Sequence, residues 1–181
     1  MLVLLDRDGV LNEELPNGIL SLDDLEIYAY VPSALGMLRK AGFKIAVVTN
    51  QSAIGKGTLT EETLEIIHHH LQETLLSAGG FIDRFYFAPD HPDKPTHRRK
   101  PNPGMLEEAL ADFAAKPADT PLVGDSLRDL EAAAALGCPR ILVKTGNGLK
   151  TIEAGIPSHV HPVVIVRDME EAARYILSRF S

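Results

Sequence analysis

The chain has 181 residues, the length of one domain rather than two. Its hydrophobic content of 45% is that of an ordinary globule, and no apolar run approaches the ~18 residues of a membrane span. A formal charge of -7 argues against the broad basic surface that nucleic-acid binding requires, and the lone Cys138 excludes an intrachain disulfide or a cysteine-based zinc cluster.

Leu2-Val3-Leu4-Leu5 is a short apolar run that breaks at Asp6-Arg7-Asp8-Gly9, the pattern of a strand buried on both faces. It is too short for a secretory signal core and lacks a basic lead-in, so a cytoplasmic protein is expected. Residues 9–30, with Pro16-Asn17-Gly18, follow neither period and predict a flap-like insert over the sheet edge. A helix comes next, with Pro32 in its first turn, Leu35 and Leu38 on its inner face and Gly42 as its stop. A second strand at 43–49 runs into Asn50-Gln51-Ser52. Thr60-Glu61-Glu62 opens a helix whose apolar stripe is Leu64, Ile67, Leu71 and Leu75, ended by Gly79-Gly80.

A weaker strand is predicted at 84–88, followed by a proline-rich loop at about 88–104. Loops of that length inside a compact domain usually carry function. Helices at about 103–115, 126–137 and 168–179 alternate with strands at 122–123, 141–143 and, more weakly, 163–166. Strands separated by single helices predict an α/β fold, a doubly wound parallel sheet with helices on both faces. One domain over 1–181 is expected, without a large cap domain.

In such sheets ligands bind beyond the carboxyl ends of the strands. The polar residues collect there: Asp6 and Asp8 after the first strand, Thr49 and Asn50 at the second, Asp125 and Asp129 after the strand at 122–123, and Lys100 in the long loop. One aspartate after a strand is most often a turn former or helix cap. Three carboxylates at one edge repel one another and require a compensating cation. Mg²⁺ fits, as a hard ion that takes one or two carboxylates, waters and a substrate phosphate. Thr49 and Lys100 would then offer a hydroxyl and an ammonium to phosphoryl oxygens, a set suited to phosphoryl transfer.

The runs Asp6-Arg7-Asp8-Gly9-Val10-Leu11-Asn12, Val47-Val48-Thr49-Asn50-Gln51-Ser52, Arg99-Lys100-Pro101-Asn102-Pro103-Gly104-Met105 and Val123-Gly124-Asp125-Ser126-Leu127-Arg128-Asp129 resemble, in order, the four motifs of haloacid dehalogenase-like phosphatases. Within that superfamily they look like the D,D-heptose 1,7-bisphosphate phosphatase branch, of which the histidinol-phosphatase domain is a close relative. The resemblance implies a Mg²⁺-dependent phosphatase of a small phosphorylated sugar, with D-glycero-D-manno-heptose 1,7-bisphosphate favoured and histidinol phosphate or another small metabolite as the alternative. It makes Asp6 the nucleophile and Asp8 the general acid and base, with Thr49 and Lys100 stabilising the transferred group. Mg²⁺ would be held by Asp6, the main-chain carbonyl of Asp8, and Asp125, with Asp129 behind them. Asn50, Gln51, Ser52, Arg99 and the Arg7 backbone would contact substrate.

Members of that branch commonly carry a structural zinc loop before the Arg-Lys-Pro run, where this chain has Ala88, Asp90, Thr96 and Arg98. No structural zinc is therefore expected, and Pro89, Pro92 and Pro95 are expected to order the loop. His68-His69-His70 lies within a helix, where successive side chains diverge and cannot share a metal. His91 and His97 are expected to hydrogen-bond within the loop or touch substrate. A monomer without nucleic-acid or membrane partners is expected. A receiver-type phosphoacceptor module, also α/β with clustered aspartates, Thr and Lys, is the rival reading. It is disfavoured because Asp6 and Asp8 both follow the first strand.

Overall fold

The computed structural model describes residues 1–180. Six strands form one sheet: β1 (Leu2–Leu5), β2 (Lys44–Asn50), β3 (Arg84–Ala88), β4 (Leu122–Gly124), β5 (Arg140–Val143) and β6 (Val163–Val166). Their spatial order is β3-β2-β1-β4-β5-β6 and every neighbouring pair is parallel. Among the described residues seven α-helices accompany them: α1 (Val31–Lys40), α2 (Ser52–Gly55), α3 (Glu61–Leu76), α4 (Gly104–Asp112), α5 (Leu127–Leu136), α6 (Gly148–Ala154) and, after the last strand, α7 (Met169–Phe180). No helix among the described residues is long and apolar enough to cross a membrane.

The period of two along the central strands assigns each residue to one of two cores. Val3 and Leu5 of β1 and Ile45 and Val47 of β2 pack with α1, α3 and α7. Leu2 and Leu4, with Ala46 and Val48, face α4 and α5 through Met105, Leu106, Ala109, Ala132 and Ala133. Burial on both sides is why Leu2–Leu5 is apolar without alternation. A third, smaller core seats the insert: Ile19 packs with Ala53, Leu59, Leu64 and Ile67.

The chain leaves β1 toward β2 and β3, then returns to the other side of β1 as β4. The reversal puts the carboxyl ends of β1, β2 and β4 side by side, with a crevice beyond them. The long strands and helices lie where their patterns predict. Two helices do not appear in the sequence pattern, α2 with four residues and α6 with seven, since each is shorter than the window in which helical periodicity shows. The insert holds a short 3₁₀ turn at Leu22–Asp24 and pairs with the site's own segment through isolated bridges from Asn12 to Asp8 and Ile27.

Leu4 is wholly buried in the central strand, one residue pair from the site. Leu4→Ala is expected to lower unfolding stability by about 2–5 kcal/mol. Urea titration checks this, and a loss under ~0.5 kcal/mol would contradict the two-sided burial of β1.

Candidate active site

A cavity of about 290 Å³ opens beyond the strand ends, small enough to select a compact ligand. Asp6 and Asp8 reach it from the end of β1, Thr49 and Asn50 from β2, Asp125 from the turn after β4, Asp129 from the first turn of α5, and Arg99 and Lys100 from the loop before α4. The Asp6, Asp125 and Asp129 carboxylates come within 4.8 Å of one another.

Lys100 stands among them. Only 2% of it is exposed, and its Nζ lies 3.1 Å from Asp6 Oδ1, 2.5 Å from Asp129 Oδ1 and 2.7 Å from the Val48 carbonyl. Its backbone is clamped by Asn50, whose Nδ2 donates to the Lys100 carbonyl at 2.9 Å and whose Oδ1 accepts from the Lys100 N–H at 3.1 Å. Burial pulls the pKa of this ammonium down, but Asp129 and Asp6 outweigh it and hold it above the ordinary lysine value.

The carboxylates divide their oxygens between structure and chemistry. Asp129 Oδ2 accepts from the backbone and hydroxyl of Ser126 at 3.0 and 2.6 Å, while Oδ1 meets Lys100. Asp125 Oδ2 accepts from the Asn147 backbone at 2.7 Å. Asp6 Oδ1 takes both the Arg7 N–H at 2.8 Å and Lys100. Neither bond falls on Asp6 Oδ2.

Burial pushes the Asp6 carboxyl up to about 7, against the pull of Lys100 and with the help of Asp129 and Asp8. Burial with the Asp129 and Asp6 charges pushes Asp125 up to about 8. Burial would also raise Asp129, yet the adjacent Lys100 ammonium holds it below the usual carboxylate value. One ammonium is too little positive charge for three buried carboxylates. Their hard oxygen donors fit a divalent cation of the Mg²⁺ type.

Backbone shape is part of the site. Gly9 and Gly146 both have positive φ, 80° and 54°, and a Cβ on either would run into the Asp125 carboxylate. Thr145 Oγ1 donates to the Gly9 carbonyl at 2.6 Å and ties these two loops together.

Four of the residues named from sequence as substrate contacts also hold other groups of the site. The Arg7 side chain turns away from the cavity, is 0% exposed, and pairs with Asp8, while its backbone N–H serves Asp6. Asn50 spends its amide on Lys100. Gln51 bridges Asp8 and Thr49, donating through Nε2 to Asp8 Oδ2 at 3.0 Å and Thr49 Oγ1 at 2.9 Å. Ser52 accepts from Arg99 Nη1 at 2.8 Å, and the same nitrogen donates to the Asp90 carbonyl at 3.2 Å. Sequence reasoning passed over Glu14, Arg128 and Asn147, which line the cavity from loop and first-turn positions with no pattern to mark them.

The loop at 88–104 is ordered by more than its prolines. Asp90 Oδ2 accepts from the Thr96 hydroxyl at 2.8 Å and the Thr96 N–H at 3.2 Å, and Asn102 Nδ2 donates to the Thr96 carbonyl at 2.9 Å. His97 and Arg98 reach Glu107 and Glu108 of α4 at 2.7 and 2.8 Å. His91 Nδ1 accepts from the Asp93 N–H at 3.2 Å, the hydrogen-bonding role expected of it.

Comparison with known proteins gives the site a context. The HAD-hydrolase-like family profile matches residues 97–172, and that of polynucleotide kinase 3 phosphatase matches residues 13–129. The D-glycero-beta-D-manno-heptose-1,7-bisphosphate 7-phosphatase of Bordetella bronchiseptica is 36% identical over 177 residues, 97% of each chain. The protein of the same name from Neisseria meningitidis is 40% identical over 151 residues, covering 83% of this chain and 81% of its own. The crystal structure of D,D-heptose 1,7-bisphosphate phosphatase from B. bronchiseptica, complexed with magnesium and phosphate, superposes with a TM-score of 0.92 at 35% identity over 98% of both chains.

The raised carboxyls of Asp6 and Asp125 set a pH dependence for the cation-free protein. A carboxyl that binds its proton more tightly when folded favours folding below its unfolded pKa, and that advantage is lost as pH rises through the folded pKa. The melting temperature in EDTA is therefore expected to fall between about pH 4 and pH 8, and millimolar Mg²⁺ should flatten the decline. A flat profile in EDTA would overturn this.

Proposed function

The chain belongs to the haloacid dehalogenase-like phosphatases, in the branch of the heptose bisphosphate 7-phosphatases, and we propose that it removes the 7-phosphate of D-glycero-D-manno-heptose 1,7-bisphosphate. It is a phosphoric monoester hydrolase; the sugar, the ion and the residue roles are the proposal. The observation that carries it is Asp6, with one carboxylate oxygen pinned by the Arg7 N–H and Lys100 and the other not so held, in the lining of a small polar cavity. The domain acts as one unit, with the insert at 9–30 and the loop at 88–104 shaping the entrance.

The donor set fits Mg²⁺, which Asp6, the main-chain carbonyl of Asp8 and Asp125 would hold, with Asp129 steadying Lys100 behind them. When bound, the ion draws charge from the phosphoryl oxygens and offsets the repulsion between that group and the carboxylates.

Asp6 Oδ2 attacks phosphorus while the bond to the sugar oxygen breaks. The electron pair of that bond goes to the leaving oxygen, which takes a proton from Asp8. The Asp8 carboxylate then removes a proton from water as the water attacks the aspartyl-phosphate. Phosphate leaves, and the Asp6 carboxylate and the Asp8 proton are both restored. Lys100 meets the charge that gathers on the transferred oxygens, beside the Thr49 hydroxyl. Arg99, braced by Ser52 and the Asp90 carbonyl, faces substrate beyond the reacting phosphate.

Phosphate release across a panel of phosphorylated metabolites, including the heptose bisphosphate and histidinol phosphate, tests the substrate. The heptose bisphosphate is expected to give the highest kcat/KM, and a clear preference for another compound would replace it. Asp6→Asn should abolish turnover, and Asp8→Asn should lower kcat by about 10²–10⁴-fold. Near-normal release from either variant would sink the assigned roles. Chelation should stop turnover and Mg²⁺ should restore it, while Ca²⁺, with its longer bonds and larger coordination number, should inhibit.

A further inference from the structure

Arg7 is an unusual residue to find at this depth. Its side chain is fully enclosed at the end of the central strand, although a guanidinium cannot shed its charge and is costly to bury. The charge is tolerated there because the Asp8 carboxylate pairs with it. The guanidinium is used on every side. Nε and Nη2 donate to Asp8 Oδ1 at 3.1 and 2.9 Å, and Nη2 also reaches Oδ2 at 3.0 Å. The remaining face meets His68, with Nη1 lying 3.3 Å from Nε2 of the imidazole.

Arginine is always a donor, so His68 Nε2 is the acceptor and the ring carries its proton on Nδ1. A neutral ring is also what its surroundings dictate, because burial and the Arg7 charge push His68 down to about 3. The ring stacks on Phe85 of β3 with centroids 4.3 Å apart and an interplanar angle of 14°. The plane of the acceptor is thereby fixed by a strand rather than a loop. A rigid line of contacts runs from Phe85 through His68 and Arg7 to Asp8.

We propose that Arg7 and His68 are positioning residues that hold the Asp8 carboxyl at the angle from which it reaches the leaving oxygen. The planar fork of Arg7 sets the plane of the carboxyl group, and His68 sets the plane of the fork. Asn12 and Gln51 complete the grip, donating to Asp8 Oδ1 at 2.9 Å and Oδ2 at 3.0 Å. Asp6 lies outside the line, since its partners are the Arg7 backbone and Lys100. Disturbing Arg7 or His68 therefore injures proton transfer more than nucleophilic attack or cation binding. The proposal rests on the reading of Asp8 as proton donor.

A difference in leaving-group dependence tests it. A nitrophenolate departs without a proton, whereas a sugar alkoxide needs one. Arg7→Lys keeps the charge and loses the fork. His68→Phe keeps the stack on Phe85 and loses the acceptor, and His68→Gln returns an acceptor. For the alkyl phosphate turned over fastest, Arg7→Lys and His68→Phe are expected to lower kcat on the order of 10–100-fold, the scale of a misplaced catalytic group, with KM within about twofold. Because Asp8 also serves the attacking water for either ester, the two are compared by leaving-group release in the first turnover with enzyme in excess: there the loss on 4-nitrophenyl phosphate should be under about threefold, and His68→Gln should recover most of the alkyl activity. Equal losses on both substrates, or no loss, would overturn the proposal; Asp8→Asn run alongside tells its failure from that of the underlying reading. If Asp8→Asn spares the nitrophenyl ester and the other variants do not, positioning fails alone. If Asp8→Asn slows first-turnover release of both leaving groups alike, Asp8 is not the proton donor and both readings fall. Should Arg7→Lys misfold, the two His68 variants decide the question.

Discussion

Asp6, Asp125 and Asp129 come within 4.8 Å of one another at the strand ends, and the buried Lys100 ammonium is the cation that the chain itself puts among them. Their mutual repulsion is the constraint that the surrounding structure answers. Removing one partner of such a buried pair leaves an uncompensated charge and typically costs about 3–5 kcal/mol. Lys100 is accordingly fastened at both ends, its ammonium by two carboxylates and the Val48 carbonyl, its backbone by Asn50. The loop that carries it is as much a part of the core's charge balance as of the entrance.

The same economy governs the carboxylates. Each uses one oxygen on a fixed donor, Asp129 on Ser126, Asp125 on Asn147 and Asp6 on the Arg7 N–H, and so is oriented without being saturated. Oxygens prepared in this way need no rearrangement to meet a cation or a phosphorus atom, which is what gives preorganised polar groups their effect in a water-poor site. The close approach of Gly9 and Gly146 to Asp125 serves the same end, since any side chain there would turn the carboxylate away.

What could be read from the sequence followed from patterns with a physical period. Leu2–Leu5 and Lys44–Asn50 declare themselves as buried strands by unbroken apolar character, and the aspartates, Thr49 and Lys100 are placed by the rule that ligands sit at strand ends. Side-chain direction is not legible in that way. Nothing in Asp6-Arg7-Asp8 says that the middle residue points into the protein, or that His68, sixty-one positions on, is its acceptor. Glu14, Arg128 and Asn147 reach the cavity through loop and helix-start geometry, and α2 and α6 are too short for their period to register. The paired motifs therefore gave the chemistry, while its orientation waited on tertiary contacts.

The loop at 88–104 is held by hydrogen bonds and ion pairs of its own side chains. The hydrogen bonds between Asp90 and Thr96 contribute about 0.5–1.5 kcal/mol each, or about twice that for a charged acceptor. That sum would not fold an isolated loop. It suffices here because both ends are already bound by the protein: Ala88 ends β3 and its carbonyl accepts from the Gln51 N–H at 2.8 Å, while at the far end Arg99 is held by Ser52, Lys100 by Asp6 and Asp129, and His97 and Arg98 by Glu107 and Glu108 of α4. Only the residues between those anchors remain to be ordered, and three prolines lower the entropy lost in doing so. The charges that hold Lys100 in place thus also hold the far end of the loop at the entrance.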